Sequence, residues 1–475
     1  MKLYEQLVED LTRLIREGVL RPGDRMPSVR KLTRSHSVSP GTVLQAYGVL
    51  EDRGLIEART RSGYYVAARR SAGLRPPSTH RPDGWSTPVD VSELVFHLLA
   101  STRDRDLVPF GSAFPSPLLF PFKQLLRAFG SRGKEFDPWQ TVKALSPGNL
   151  QLRRLIARRY LEGGCSLSHE DIVITSGAMD ALTLCLQTVT RPGDVVAIET
   201  PTFPPALQAI EAAGLRAVEI PTHPIHGVDL DALEQALRRH PIRACWFMPT
   251  FQNPLGSLMS DADKKALVEL ITHHDVPLIE DDVYAELYYG SERPKPAKAY
   301  DTAGLVLHCS SFSKNLAPGF RVGWVAPGRY AKQIEQRALI SSLSASVPAQ
   351  LAIAEYAKKG GYERHLRQLR HTLGVQQQQM LESISRYFPE GCRVTSPAGG
   401  YFLWAELPAT VDTLEVHREA MEAGISISPG PMFSAKREFR HCLRLNYGHL
   451  WSEQIEKALQ DLGKIISRHT ASGAS

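Results

Sequence analysis

Five short apolar runs recur between residues 172 and 308: Ile172-Val173-Ile174-Thr175, Val195-Val196-Ala197-Ile198, Ala244-Cys245-Trp246-Phe247-Met248, Val276-Pro277-Leu278-Ile279 and Leu305-Val306-Leu307-His308. Between them lie segments such as Leu230–Arg239 and Asp261–His273, whose apolar residues return at helical spacing. A strand without polar alternation must be covered on both faces, and alternating helices supply that cover. The pattern predicts an α/β domain with a mostly parallel sheet, running from about Val91 to the C-terminus. No internal repeat interrupts it.

The first 68 residues follow a different plan. Leu3, Leu7, Leu11, Leu14 and Ile15 predict an amphipathic helix to about Glu17, broken by Gly18, Pro22 and Gly23. Ser28 can cap a second helix, Val29 to about Ser35. Ser39-Pro40 reads as an N-cap with proline at the first helical position, opening a third helix to about Arg53 with Val43, Tyr47 and Leu50 buried. Two β segments follow, Leu55–Arg59 and Tyr64–Ala67, joined by Thr60-Arg61-Ser62-Gly63. Three helices and a hairpin describe a winged helix. Residues 69–90 carry prolines at 76, 77, 82 and 88 without apolar periodicity, which predicts a linker. The expected domains are therefore 1–68, the linker 69–90, and 91–475.

Charge separates these parts. Residues 1–70 hold 13 Lys and Arg against 8 Asp and Glu, whereas the other 405 hold 43 against 42. The excess of a chain whose net charge is +6 thus sits at one end, which suits a polyanionic partner for that end alone. No apolar run approaches the roughly 20 residues that span a bilayer. The start lacks a signal-peptide core, so a cytoplasmic protein with no membrane partner is expected. The six cysteines show no close pair or metal-ligand spacing and are expected to be reduced and buried, with no metal site.

Within the α/β region, Ser311-Phe312-Ser313-Lys314 follows an apolar strand, with Arg321 seven residues on. A lysine among hydroxyls there suits a Schiff base with a phosphorylated aldehyde. Ser311, Ser313 and Arg321 can add phosphate ligands. Ser176-Gly177-Ala178 lies between a strand and a helix, where backbone N–H groups can surround a phosphate. The Asn253 amide can donate to a phenolate oxygen, which Tyr284 can share. A carboxylate at Asp281 can keep a pyridine nitrogen protonated, and Phe203 can stack on the ring.

Together these motifs resemble fold-type I, class I/II aminotransferases over roughly residues 91–475. The resemblance implies a large α/β domain with a smaller C-terminal α/β subdomain, pyridoxal 5′-phosphate on Lys314, and Arg444 as clamp for a substrate α-carboxylate. Asp282 competes with Asp281, and the family's tyrosine three residues on favours Asp281. Two departures stand out: Lys143-Ala144-Leu145 lacks the tyrosine that many relatives carry before Pro147-Gly148-Asn149, and Met179 fills an often polar place.

The runs Met26-Pro27-Ser28-Val29-Arg30-Lys31-Leu32 and Val38-Ser39-Pro40-Gly41-Thr42-Val43 resemble the winged helix of GntR regulators. Gly41, Thr42 and Gln45 are left facing outward, where they can meet base edges. The resemblance implies Ser28, Arg30, Ser39 and Thr42 as phosphate or base contacts. Arg59, Arg61 and Gly63 would set the wing against the DNA. Pro40 stands where many relatives have arginine. Over its full length the chain resembles the MocR/GabR class of regulators. That implies a homodimer binding a double-stranded operator and sensing an amino compound or the cofactor itself. The site is complete enough for transamination half-reactions. An aminotransferase that carries a DNA-binding domain, and a regulator using the fold only as a dimerisation scaffold, remain open.

Overall fold

A computed structural model describes the chain apart from residues 1–2, 17–18, 21–22, 53–54, 60–62, 67–73, 102–106, 132–138, 140–144 and 473–475. It divides into two compact units, Met1–Leu74 with His371–Arg386, and Arg75–Arg370 with Tyr387–Ser475.

In the first unit, α1 (Leu3–Arg16), α2 (Val29–Ser35) and α3 (Pro40–Asp52) precede a hairpin of β1 (Ile56–Arg59) and β2 (Gly63–Val66). Leu7, Leu11, Leu32, Val43, Tyr47, Leu50, Ile56 and Val66 form one buried cluster, so the helical stripes read from sequence converge. The Met26 N–H donates to the Tyr64 carbonyl at 2.9 Å, which ties the turn before α2 to the wing.

The second unit is built on a nine-stranded sheet. Its main strands are β3 (Thr87–Pro88), β4 (Val173–Thr175), β5 (Val195–Thr200), β6 (Arg216–His223), β7 (Ile242–Phe247), β8 (Leu278–Asp281), β9 (Val306–Ser311) and β10 (Gly323–Ala326). They lie in the order β3-β6-β5-β7-β8-β9-β10-β4, with a short strand off β6. From β6 to β9 neighbours are parallel. Antiparallel pairing of β9 with β10 and of β10 with β4 turns β4 back into the common direction. The carboxyl ends of β4, β5, β7, β8 and β9 therefore open on one edge, where ligands of open α/β sheets bind.

Helices α4 (Ala178–Val189), α5 (Pro204–Ala212), α6 (Leu230–Arg239) and α7 (Asp261–His273) follow β4, β5, β6 and β7. Asp229 and Ser260 cap α6 and α7 by accepting from the N–H groups of Ala232 and Asp263. The apolar runs all form strands, whereas β6 carries no such run because Glu219 and Pro221 interrupt its apolar pattern. β8 lies further along than expected, since burial between β7 and β9 draws Glu280 and Asp281 into the ladder.

A smaller antiparallel sheet holds β11 (Arg393–Val394), β12 (Phe402–Glu406), β13 (Ser428–Pro429) and β14 (Cys442–Asn446), in the order β11-β12-β14-β13. From Arg75 onward the proline-containing stretch runs along this same second unit. The Val394 N–H donates to the Arg75 carbonyl at 2.8 Å, and Thr87–Pro88 pairs with the edge of β6. All six cysteines are free and buried. Among the described residues no helix is long and apolar enough to cross a membrane.

Candidate functional site

Sheet register gathers the predicted residues. Ser311 pairs with Gly323, and Gly323 with Thr175, so Ser176-Gly177 sits two strands away from the lysine segment. A Cβ on Gly323 would lie 2.5 Å from the Gly177 carbonyl carbon, so only glycine permits this approach. Gly177, at φ 98°, opens α4 without a side-chain cap, leaving the helix N-terminus to other partners. Arg321, itself at φ 50°, donates from Nη1 to Ser313 Oγ at 3.3 Å and from Nη2 to the Ser176 carbonyl at 3.4 Å. Ser311 Oγ accepts from the Ser313 N–H at 3.3 Å. The Ser176 N–H is taken by Asp180 Oδ2 at 2.8 Å, and the N–H groups that follow it, a guanidinium and hydroxyls share one corner, a suitable seat for an anion.

Lys314 follows β9 and is half-buried at the floor of the site. Its Nζ donates to the Ala113 carbonyl at 2.9 Å and lies 3.6 Å from the centre of the Phe114 ring. Desolvation, then Arg444 and Arg321, push its pKa down to about 7, against the pull of Asp281. Asp281 ends β8. Burial, then the neighbouring Asp282 carboxylate, push it up to about 7, while Lys314 acts in the opposite sense. Its Oδ1 is buried without a partner among the described residues. Asp282, the alternative carboxylate, turns to His308 Nε2 at 3.0 Å, whose Nδ1 meets the Tyr160 hydroxyl at 2.6 Å.

Arg444, on β14, is buried at 3% exposure and has no carboxylate partner among the described residues. Its Nη1 donates to Asn253 Oδ1 at 3.1 Å, and its Nη2 to the Gly111 carbonyl at 2.9 Å and Ser428 Oγ at 3.1 Å. Rings of Phe402 and Phe433 lie against it. Burial lowers its pKa to about 10, opposed by Tyr284 and Tyr401. Arg444 Nε has no partner among the described residues, and the Asn253 amide interacts with the Tyr284 hydroxyl. Tyr284 is buried beside them, and burial pushes its phenol up, with Arg444 pulling against it. Phe203 immediately precedes α5, just beyond β5, and is half-buried against the core.

The local motifs did not reveal Tyr401 or the segment from Gly111 to Phe114. The Tyr401 hydroxyl and Lys314 Nζ donate to the same Ala113 carbonyl, at 3.1 and 2.9 Å. The available signal was Gly399-Gly400 just before Tyr401: a Cβ on Gly399 would lie 2.5 Å from the Phe251 ring.

In the first unit, Gly41 and Gln45 are exposed and Thr42 half-buried at the start of α3, with Leu44 also exposed at 49%. Ser39 Oγ accepts from the Thr42 N–H at 3.1 Å, and Ser28 Oγ from the Lys31 N–H at 3.2 Å. Both serines therefore serve first as helix caps, and Ser39 Oγ also pairs with the Thr42 hydroxyl at 2.8 Å. Arg30 is exposed. Gly63 opens β2 at φ 102°. Arg61 and the side chain of Arg59 lie outside the described residues.

Two family models match, bacterial regulatory proteins of the gntR family over residues 3–66 and aminotransferase class I and II over 141–462. An uncharacterized HTH-type transcriptional regulator of Escherichia coli (strain K12), YdcR, is 45% identical over 466 residues, covering 98% of this chain and 99% of that protein. A multiple substrate aminotransferase from Thermococcus profundus matches with a TM-score of 0.73 at 29% identity, over 81% of this chain and 96% of its own. LysN, an alpha-aminoadipate aminotransferase from Thermus thermophilus complexed with N-(5'-phosphopyridoxyl)-L-leucine, gives 0.72 at 29% identity, over 79% and 95%. A GntR-type winged helix joined to an aminotransferase-fold domain, matched nearly end to end by a regulator, places this chain in the family of MocR/GabR-type transcriptional regulators.

Proposed function

We propose that this regulator holds pyridoxal 5′-phosphate at Lys314 and changes its DNA binding when an amino compound reaches Lys314 and Arg444. One observation carries the reading: among the described residues, Asp281 Oδ1 and Arg444 Nε are buried without partners around a desolvated lysine. Orphaned buried polar atoms are costly and persist where a ligand satisfies them. The donor set fits the group. Ser176, Gly177, Ala178, Ser311, Ser313 and Arg321 would hold the phosphate, Asn253 and Tyr284 the phenolate oxygen, Asp281 the ring nitrogen, and Phe203 one ring face. LysN, complexed with a phosphopyridoxyl amino acid, supports the choice of group.

When bound, the group supplies an aldehyde that exchanges amines and a ring that accepts electron density. The remaining work falls to the chain. Desolvation keeps the Lys314 amine partly neutral near pH 7, as a nucleophile must be. Asp281 Oδ1 can hold or release a proton toward a ring nitrogen. Arg444 offers an incoming carboxylate a guanidinium that no carboxylate pairs among the described residues, a bidentate task that lysine performs less well. In the winged helix, Gln45, Thr42 and Leu44 would face base edges, with Arg30 and the caps Ser28 and Ser39 on phosphates. A homodimer would carry two heads to two half-sites.

The test is the visible spectrum of purified protein supplied with pyridoxal 5′-phosphate, wild type against Lys314→Ala. A bound-cofactor band in the wild type alone supports the reading, and no band in either overturns it. Multiple-turnover release of keto acid from added amino acids would favour the enzyme reading.

A further inference from the structure

A loop joins the Arg444 site to the stretch that leads from the winged helix. It runs from Ser434 to Phe439, ahead of β14. Each of its last four residues grips the segment 80–90. Lys436 pairs with Asp83, and Arg437 Nη2 reaches the Asp90 carbonyl at 2.8 Å and its carboxylate at 3.5 Å. Glu438 Oε2 meets His80 Nε2 at 2.6 Å, and the Phe439 ring meets the His80 ring edge-on at 4.7 Å. The loop backbone is strained: Arg437 and Phe439 sit at φ 58° and 61°, where non-glycine residues rarely rest.

The other side of the loop rests on the carboxylate clamp. Phe439 lies 5.8 Å from Trp404, which is directly opposite Arg444 across the β12–β14 ladder. Phe433, just ahead of the loop, packs on Trp404 at 5.3 Å and carries the Arg444 guanidinium at 5.3 Å. Ser434 Oγ and the Ala435 N–H both donate to Glu219 Oε1 at 2.9 Å, which anchors the near end to β6. The far end is held by the Cys442 N–H on the Phe439 carbonyl at 2.9 Å. A second set of contacts holds the same segment independently of the loop. Arg239 stacks on Trp85 at 3.8 Å, and Arg216 donates to the Ser86 carbonyl at 2.7 Å.

We infer that Ser434–Phe439 is the coupling loop of this regulator: seating a carboxylate on Arg444 shifts the strained loop and thereby changes its grip on residues 80–90. This rests on the function proposed above, since it assigns the regulation of that same site. A strained loop pinned at both ends has few alternative arrangements, which is what a two-state element requires. Its ion pairs are half-exposed and individually weak, so a change at Arg444 is able to redistribute them.

The test is hydrogen exchange of residues 75–90 in the full-length, cofactor-supplied protein, read with the visible spectrum as the twenty proteinogenic amino acids are added singly. In the wild type, an amino acid that alters the spectrum should change exchange over 75–90 on the order of threefold or more. The Lys436→Ala/Glu438→Ala variant should keep its spectral response and lose the exchange response. Trp85→Ala, which loosens the segment elsewhere, should retain both. Reversing one pair, Asp83→Lys with Lys436→Asp, should restore more of the exchange response than either single change allows. A wild-type spectral response without an exchange change overturns the coupling loop, as does an exchange response unaltered in the double variant. If no amino acid alters the spectrum, the proposed sensing of a proteinogenic amino acid at Lys314 and Arg444 fails, and the inference falls with it.

Discussion

Lys314 and Asp281 lose charge by the same cause, desolvation, and their pH behaviour follows. A lysine whose pKa is depressed to about 7 is protonated below that value and neutral above it. Attack on the cofactor aldehyde needs the neutral amine, so loading with pyridoxal 5′-phosphate should accelerate about tenfold per pH unit below 7 and level off above about 8. Stopped-flow absorbance measures this; a rate still climbing steeply at pH 9 would mean that the amine is not depressed. For stability the sign is explicit. Between about 7 and the ordinary lysine value the unfolded chain binds the extra proton, so the Lys314 contribution rises with pH through that window. Asp281, raised to about 7, acts oppositely between the ordinary carboxylate range and 7. At Arg444 the decisive property is geometry. Arg444→Lys should weaken the spectral response to amino acids about tenfold or more while leaving the cofactor band in place.

The corner between β4, α4 and β9 tests an element rather than a residue. Gly177→Ala would put a Cβ 2.5 Å from Arg321 Nη2 at a φ suited to glycine. Affinity for pyridoxal 5′-phosphate should fall about tenfold or more, while affinity for pyridoxal, which has no phosphate, should change little. Equal losses for both would move the phosphate elsewhere. In the winged helix, Ser39→Ala should cost about 1 kcal/mol of α3 stability by removing its cap, measured by thermal unfolding. Such elements were legible because their signals are local: an uninterrupted apolar run, Ser-Pro at a helix start, glycine before a helix. Strand β6 was hidden because Glu219 and Pro221 sit in it, and Glu219 is held chiefly by Ser434 and Ala435, some 215 positions later, with Thr200 beside them. Tyr401, Phe114 and the grip of residues 436–439 on 80–90 stayed unread for the same reason. Each depends on tertiary pairing, which no local window carries.

At the scale of the whole molecule, charge and chemistry belong to different parts of the chain. The first 70 residues hold a net of +5 and the body is nearly neutral. DNA affinity should therefore fall steeply with salt, with a log–log slope set by the head's phosphate contacts, whereas cofactor affinity should be much less salt-dependent. Most of the chain's mass lies in an aminotransferase fold, with Lys314, Asp281 and Arg444 as its proposed site residues. On this account their output is a change in DNA binding rather than a released product. The most direct measurement follows both signals in one cuvette: cofactor absorbance, and fluorescence anisotropy of a duplex selected from random-sequence DNA by the full-length protein. An amino acid which shifts the absorbance should shift DNA affinity over the same concentration range, and Lys314→Ala should abolish both shifts. An absorbance change that leaves DNA affinity untouched, with keto acid accumulating over many turnovers, would contradict it.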